Sequence, residues 1–195
     1  MTIHVTPGSP LPRRFTAGDL RLMLAAGILR EDERVELLDG ELVEMAAKGF
    51  AQDVVKNALV RRLVPLLPEA AYLGIESTLQ LGPGLLLEPD LLLAPMSARS
   101  ATPEGFCTIP GPEILLVIEV AASSLAYDRG RKAALYARHG VREYWVIDAQ
   151  EREAWVHRGP AEGLYRDPAE LSRDSVLRPE AEELAMIMAP LAELG

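Results

Sequence analysis

The sequence predicts an α/β protein in which a mixed central sheet is flanked by helices. The run EILLVIEV at 113–120 is almost continuously apolar, which is typical of a strand in the centre of a sheet that is covered on both faces. Residues 51–68 place apolar side chains at helical spacing. Between residues 51 and 149 the segments follow the order helix, strand, strand, strand, helix, strand, and this order implies the mixed sheet.

A helix and a hairpin are predicted before this core. Residues 1–14, rich in Pro and Gly, are expected to form a flexible arm. The helix is predicted over 15–28, with Thr16 as its candidate N-cap. The hairpin is predicted over 34–45, because two apolar runs flank Asp39-Gly40, the dipeptide that a type I′ turn favours.

The core elements follow in order. The helix at 51–68 is predicted to bury Val55 and Leu59 and to end at Pro65 and Pro68. Pro89 in the second of the next two strands indicates an edge position, a bulge or a strand start. The remaining predictions are strands at 71–82 and 85–95, a long loop at 96–112, a strand at 113–120, a helix at 128–140, a strand at 141–149, and β-meander pieces with a short strand near 184–191.

Length and composition limit the class of protein. At 195 residues we expect one domain, from residue 15 to 195. The net charge of −9 argues against a protein that coats nucleic acid through charge alone, but not against an enzyme with a local basic patch and a divalent metal. The single Cys107 excludes an internal disulfide. No run is apolar for long enough to cross a membrane and no signal peptide is evident, so a cytoplasmic protein is expected.

Three charged residues lie where charge is costly. Asp90 in EPDLLLAP and Glu119 in EILLVIEV belong to apolar runs, and Lys132 lies on the following helix. Strand alternation predicts that Glu119 shares a face with Leu115 and Val117. Adjacent strands are about 4.8 Å apart, so the two carboxylates could share one divalent cation. Lys132 is also one of only 3 lysines against 17 arginines.

Each of these residues also has a simpler interpretation. Glu119 could reach water at a strand end, and Asp90 could bond to the local backbone in a turn. Lys132 could form a surface ion pair with Asp128, four residues earlier. Three histidines without ligand spacing make a histidine zinc site a poor alternative.

Four stretches together resemble the Uma2 family of endonucleases, once a domain of unknown function, in the PD-(D/E)XK nuclease superfamily. These stretches are VELLDGELVEM, EPDLLLAP, IPGPEILLVIEV and DRGRKAALYARHGVREYWVID. The resemblance implies a restriction-endonuclease-like αβββαβ core at about 51–149, with an extra N-terminal helix and hairpin and a C-terminal β extension. It implies that Asp90 and Glu119 are the two superfamily acids. The superfamily lysine usually lies two residues after the second acid, and that position is Ala121 here. The resemblance implies that the family supplies the amine from the next helix instead, which points to Lys132.

The first hypothesis is a divalent-metal-dependent endonuclease that hydrolyses nucleic acid, with DNA as the expected substrate. Asp90, Glu119 and the backbone carbonyl of Val120 would bind Mg²⁺ or Mn²⁺, which polarises the phosphate and lowers the pKa of a bound water. Lys132 would orient that water or neutralise developing charge. The supporting candidates are Asp128 to hold Lys132, Tyr136 to contact phosphate, and Arg61, Arg62, Arg129 and Arg131 to contact the nucleic-acid backbone.

The second hypothesis is a catalytically weakened nuclease scaffold that binds nucleic acid or acts in assembly. The chain departs from the family pattern at Ala51, where a histidine is common, and at Ala122 and Leu125, where hydroxyl residues are usual. A third hypothesis is a metal-dependent enzyme acting on another phosphate substrate. A homodimer is expected, because the meander and the C-terminal segment offer apolar strands that need cover.

Overall fold

The computed structural model describes residues 11–30 and 32–195, and within them two six-stranded sheets are flanked by helices. The helices are α1 (Ala17–Ala25), α2 (Phe50–Leu63), α3 (Leu125–Tyr127) and α4 (Ala133–Arg138), with a π-helical turn at Asp128–Lys132 joining the last two. The strands are β1 (Val35–Leu38), β2 (Glu41–Glu44), β3 (Ala71–Ile75), β4 (Leu79–Gly82), β5 (Leu85–Leu87), β6 (Leu91–Pro95), β7 (Ser100–Ala101), β8 (Cys107–Thr108), β9 (Leu116–Ala121), β10 (Glu143–Asp148), β11 (Ala154–Arg158), β12 (Pro160–Ala161), β13 (Leu164–Tyr165), β14 (Ala169–Leu171), β15 (Val176–Leu177) and β16 (Ala189–Pro190). The predicted mixed α/β class is confirmed.

The N-terminal helix and hairpin form as their sequences predict. Thr16 caps α1 through a capping box, since its Oγ1 accepts from the Asp19 amide at 3.1 Å and its own amide donates to Asp19 Oδ2 at 2.9 Å. Asp39 and Gly40 have φ of 53° and 77°, which is the left-handed pair that a type I′ turn requires. The predicted arm at 1–14 falls largely outside the described residues.

The central sheet has the order β14-β11-β10-β9-β6-β3. Strands β9 and β10 run parallel, and every other pair is antiparallel. Helix α2 packs on one face through Val55, Leu59 and Leu63, and α4 packs on the other face. The series α2, β3, β6, β9, α4, β10 is therefore the αβββαβ core that the resemblance implied.

The hairpin at 71–95 differs from the prediction of two long strands. Each strand breaks in two. Strands β3 and β6 stay in the central sheet, whereas β4 and β5 pair with each other in the second sheet. The second sheet has the order β2-β1-β5-β4-β8-β7. The first break contains Glu76 at φ 48°, and the second contains Pro89, which has no N–H for a ladder. The hairpin thus passes from one sheet to the other, and Asp90 lies where it does so.

The strand β9 alternates between the two apolar cores. Leu116, Ile118 and Val120 face α2, whereas Val117 faces α4. The sequence had placed Leu115 on the same face as Glu119, but Leu115 precedes the strand and packs in the opposite core. No helix among the described residues is long and apolar enough to cross a membrane.

Candidate active site

Strand pairing brings the two predicted acids to the same place. Leu91 of β6 pairs with Ile118 of β9 in antiparallel register, so Asp90 and Glu119 are the next residues along the two strands. Both carboxylates are buried, with only 6% and 4% of the residue surface exposed. The two acids line one cavity of about 40 Å³.

Asp90 is held by two hydrogen bonds. Its Oδ2 accepts from the backbone amide of Val120 at 2.8 Å, which ties the start of β6 to the end of β9. Its Oδ1 accepts from Lys48 Nζ at 2.7 Å. Lys48 lies on the segment between β2 and α2, so a residue far away in the sequence neutralises this acid.

Glu119 is the acid that most resists ionisation. Burial raises its pKa to about 8, since desolvation disfavours the charged form and the ammonium of Lys132 offsets this only in part. The nearby carboxylates of Asp90, Asp128 and Glu36 raise the pKa further. Such a group is stabilised as an anion when a cation binds beside it.

Lys132 is almost fully buried and is surrounded by acids. Its Nζ lies 3.0 Å from Glu119 Oε1, 3.0 Å from Glu36 Oε1 and 3.9 Å from Asp128 Oδ1. Burial alone would lower the pKa of Lys132, but these carboxylates outweigh it and raise the pKa. The Asp128–Lys132 pair is therefore part of a buried network and not an isolated pair on the surface.

The local backbone aims Lys132 at Glu119. Asp128 and Lys132 are the first and last residues of the π-helical turn, a conformation that is frequent at functional sites. Ser124 donates to Asp128 Oδ2 at 2.6 Å. The Tyr136 hydroxyl, one turn further on, donates to Glu119 Oε1 at 3.4 Å.

Besides Lys48, two further residues that contact the predicted site were not predicted from the sequence. Glu36, in β1, is 2% exposed, and its Oε1 also accepts from the Glu88 amide at 2.9 Å. Its Oε2 is buried and has no hydrogen-bond partner among the described residues. Gln52, near the start of α2, donates its Nε2 to the Val120 carbonyl at 2.9 Å. That carbonyl oxygen, the predicted metal ligand, retains one lone pair.

A second ion cluster adjoins Asp90. Glu76 Oε1 accepts from Lys56 Nζ at 2.5 Å and from Lys48 Nζ. Although burial acts in the opposite direction, these two ammonium groups lower the pKa of Glu76 to about 2. All three lysines of this arginine-rich chain therefore lie in this region. Their scarcity, 3 lysines against 17 arginines, is the sequence signal that singles them out.

The four arginines predicted to contact phosphate lie elsewhere. Arg61 is exposed, and Arg62 pairs with Glu193 at 2.5 Å, both at the C-terminal end of α2. Arg129 stacks over the Trp155 ring, with its guanidinium carbon 3.9 Å from the ring centroid. Arg131 pairs with Glu41 at 2.6 Å. None of the four lines the cavity between the acids.

The cavity has the composition that a divalent cation needs. Five acidic and three basic side chains line it, so the acidic groups outnumber the basic groups by two. Among the described residues no three His, Cys, Asp or Glu side chains are arranged to enclose a metal. Mg²⁺ is commonly bound through one or two carboxylates and several waters, so Asp90 and Glu119 fit it. The charged lining residues are Arg34, Glu36, Lys48, Glu88, Asp90, Glu119, Asp128 and Lys132.

The fold belongs to the nuclease-like class. A solved structure described as "a putative nuclease belonging to DUF820", from Anabaena variabilis, superimposes with a TM-score of 0.69 at 13% sequence identity. The match covers 92% of this chain and 97% of that chain. At this identity the likeness concerns the fold.

The family follows from the sequence match. The model of the Uma2 family, described as "Putative restriction endonuclease", matches residues 20–189. The chain belongs to the Uma2 family. No curated protein matches it.

Proposed function

We propose that this protein is a divalent-metal-dependent endonuclease that hydrolyses phosphodiester bonds of DNA. The observation that carries the proposal is the pair of buried acids on adjacent strands, Asp90 and Glu119, with the Lys132 ammonium 3.0 Å from the second. Membership of the Uma2 family supports the same reaction class.

Each member of the site has a role in this proposal. Asp90 and Glu119 would hold Mg²⁺ or Mn²⁺, with the Val120 carbonyl as a third oxygen, and the bound ion supplies a Lewis acid for the phosphate and a water of lowered pKa. Lys132 places a fixed positive charge beside Glu119, which would neutralise charge that develops on a phosphate bound there. Tyr136 and Asp128 hold Glu119 and Lys132 in position.

Lys48 has a distinct role. Before a cation binds, its ammonium neutralises Asp90 at 2.7 Å. About a fifth of its side chain is exposed, whereas only 2% of the Lys132 side chain is exposed. Lys48 is thus the lysine that can reach a phosphate group entering from solvent.

The test is cleavage of supercoiled plasmid DNA with Mg²⁺ or Mn²⁺. Asp90→Asn and Glu119→Gln should each abolish metal-dependent nicking, because each removes one carboxylate ligand. The exposed Asp174, which does not line the cavity, provides the matched control Asp174→Asn. Cleavage by either site variant at the wild-type rate would overturn the mechanism.

A second candidate is a nucleic-acid-binding scaffold without cleavage. It is favoured by one observation: both oxygens of Asp90 already accept hydrogen bonds, from Lys48 and from Val120. Calorimetry separates the two candidates. An endonuclease of this design binds Mg²⁺ or Mn²⁺ at millimolar concentration, whereas the scaffold does not.

We also propose that the protein acts as a homodimer in the cytoplasm. Val176, Met186 and Met188 expose 41%, 72% and 42% of their surface in the C-terminal segment, which gives a second copy an apolar surface to cover. Sedimentation equilibrium tests this, and a monomer at micromolar concentration contradicts it.

A further inference from the structure

A larger cavity lies beside the candidate active site. Its volume is about 340 Å³, within the range of small-molecule sites. It opens between α1 and the second sheet, and it shares Arg34 and Glu88 with the cavity that contains the two acids. A molecule that fills one cavity therefore touches the wall of the other.

The larger cavity combines an apolar floor with charged and polar groups in its wall. Leu20 and Leu86 are buried beneath it, with 4% and 3% exposed. The half-buried ring of Phe106 contributes to the wall, and aromatic rings are the surfaces on which unpaired bases stack. Arg21 and Thr78 provide hydrogen-bonding groups at the edge. The charged groups of the wall are three arginines and three acids, so neither sign is in excess: Arg21, Arg30, Arg34, Asp32, Glu33 and Glu88. An apolar floor with one aromatic ring suits a nucleobase with its sugar better than an ion.

The shared wall carries the group that a connecting phosphate requires. Arg34 Nη2 lies 3.8 Å from Glu88 Oε2, and Arg34 Nη1 donates to the Ala46 carbonyl at 2.8 Å. The long contact to Glu88 leaves guanidinium donors available, and about a third of the Arg34 side chain is exposed. A guanidinium between two cavities is placed to bind a phosphate that joins a group in one to a group in the other.

We propose that the larger cavity binds the nucleoside next to the scissile phosphate, with its base against Phe106 and its phosphate at Arg34. The proposal rests on the proposed function, because it defines the substrate class of the same site. A base inside a duplex cannot enter such a cavity without leaving its stack. The preferred substrate is therefore DNA with unpaired nucleotides: single strands, flaps or frayed ends.

The first test is nucleotide binding without metal. Thymidine 5′-monophosphate is titrated into ¹⁵N-labelled protein, and its dissociation constant is measured from amide shifts. Leu24, which lines the cavity from α1, is changed to Trp to fill the cavity. The matched control is Leu22→Trp on the same helix, since Leu22 is 69% exposed. We expect shifts at Arg34 and Phe106, and at least about a tenfold loss of affinity in Leu24→Trp only.

The outcomes separate this proposal from the metal mechanism. The binding test contains no metal and does not depend on cleavage, so an absence of DNA cleavage by the wild-type protein would leave it intact. If Leu24→Trp is unstable, Phe106→Ala provides the same comparison by removing the ring. Unchanged affinity in the folded cavity variants, or no shifts near Phe106, overturns the proposal.

The second test is substrate choice by the active protein. Wild type should cleave a single-stranded oligonucleotide faster than the same sequence as a duplex, and Leu24→Trp should lose that preference while Leu22→Trp keeps it. Equal cleavage of both substrates by wild type would overturn the proposed substrate class and leave the metal mechanism standing.

Discussion

At the residue scale, Lys132 shows how a buried charge depends on its neighbours. The ammonium group is 2% exposed and lies within 4.0 Å of three carboxylates. Removing one partner of a buried ion pair lowers the free energy of unfolding far more than removing both, because the charge that remains is buried without water and without a partner. Lys132 is therefore needed to stabilise the buried acids, and it is also a candidate catalytic group.

We predict that Lys132→Met lowers the free energy of unfolding at pH 7 by about 3–5 kcal/mol, because it leaves buried carboxylates without a cation. The double variant Lys132→Met/Glu119→Gln should recover part of this loss. Urea unfolding measures both, and the exposed Arg173 gives the control Arg173→Met. A loss below about 1 kcal/mol for Lys132→Met would contradict the network.

At the scale of elements, the broken hairpin at 71–95 and the segment between β2 and α2 organise the site. The break between β5 and β6 delivers Asp90, and the break between β3 and β4 delivers Glu76. Lys48 then joins the two acids, with contacts to both. Three separate segments of chain are thus linked by one ammonium group.

We predict a defined pH dependence for Glu76. Its folded-state pKa of about 2 is below the ordinary value of 4.5, so its contribution to stability is complete above pH 4.5 and is lost as the pH falls towards 2. The free energy of unfolding of wild type should therefore exceed that of Glu76→Gln at pH 7, and the difference should shrink as the pH falls from 4.5 towards 2. Because a third of the side chain is exposed, screening reduces the size of the effect. A difference that is constant from pH 7 to pH 2.5 contradicts the ion cluster.

A glycine before β9 provides a prediction about packing. A Cβ at Gly111 would lie 1.8 Å from the backbone oxygen of His139, so Gly111→Ala must displace the end of α4 from this segment. We expect a loss of about 1–3 kcal/mol in unfolding free energy, as for other overpacked sites. Gly130 is the matched control, because nothing lies within 4 Å of its added Cβ. Equal stability of Gly111→Ala and Gly130→Ala would contradict this packing.

At the scale of the whole molecule, net charge opposes the proposed substrate. The chain carries −9, and the cavity itself has an excess of acidic groups. An anionic protein gains little from long-range attraction to DNA. A divalent cation at Asp90 and Glu119 would offset the acidic excess of the cavity, where the phosphate of the proposed substrate would bind.

We therefore predict that DNA binding depends on the cation. With Ca²⁺, which fills oxygen sites and limits cleavage, the affinity for a labelled oligonucleotide should exceed that in EDTA by about tenfold or more, equivalent to about 1.4 kcal/mol. Fluorescence anisotropy measures this, and Asp90→Asn should show no such gain. Equal binding in Ca²⁺ and EDTA would contradict a cation at this site.

The sequence by itself determined the α/β class, the order of helices and strands in the core, the capped first helix, the type I′ hairpin, the strand that carries Glu119 and the apolar run that follows Asp90. These features are local: apolar periodicity, capping residues and turn dipeptides act over a few residues of chain. The alternation of β9 also predicted that Glu119 would share a face with Val117. Only Leu115 was assigned to the wrong side, because the strand begins one residue later.

Only the tertiary structure decided which charges meet. Glu36 is 96 residues from Lys132, and Lys48 is 42 residues from Asp90. No periodicity spans such separations, and the pairing results from the hairpin crossing between two sheets at Glu76 and Pro89. The same crossing forms the large cavity beside the acids, through Thr78, Leu86 and Glu88. Burial makes these contacts strong, because a charge removed from water must find its partner within the fold.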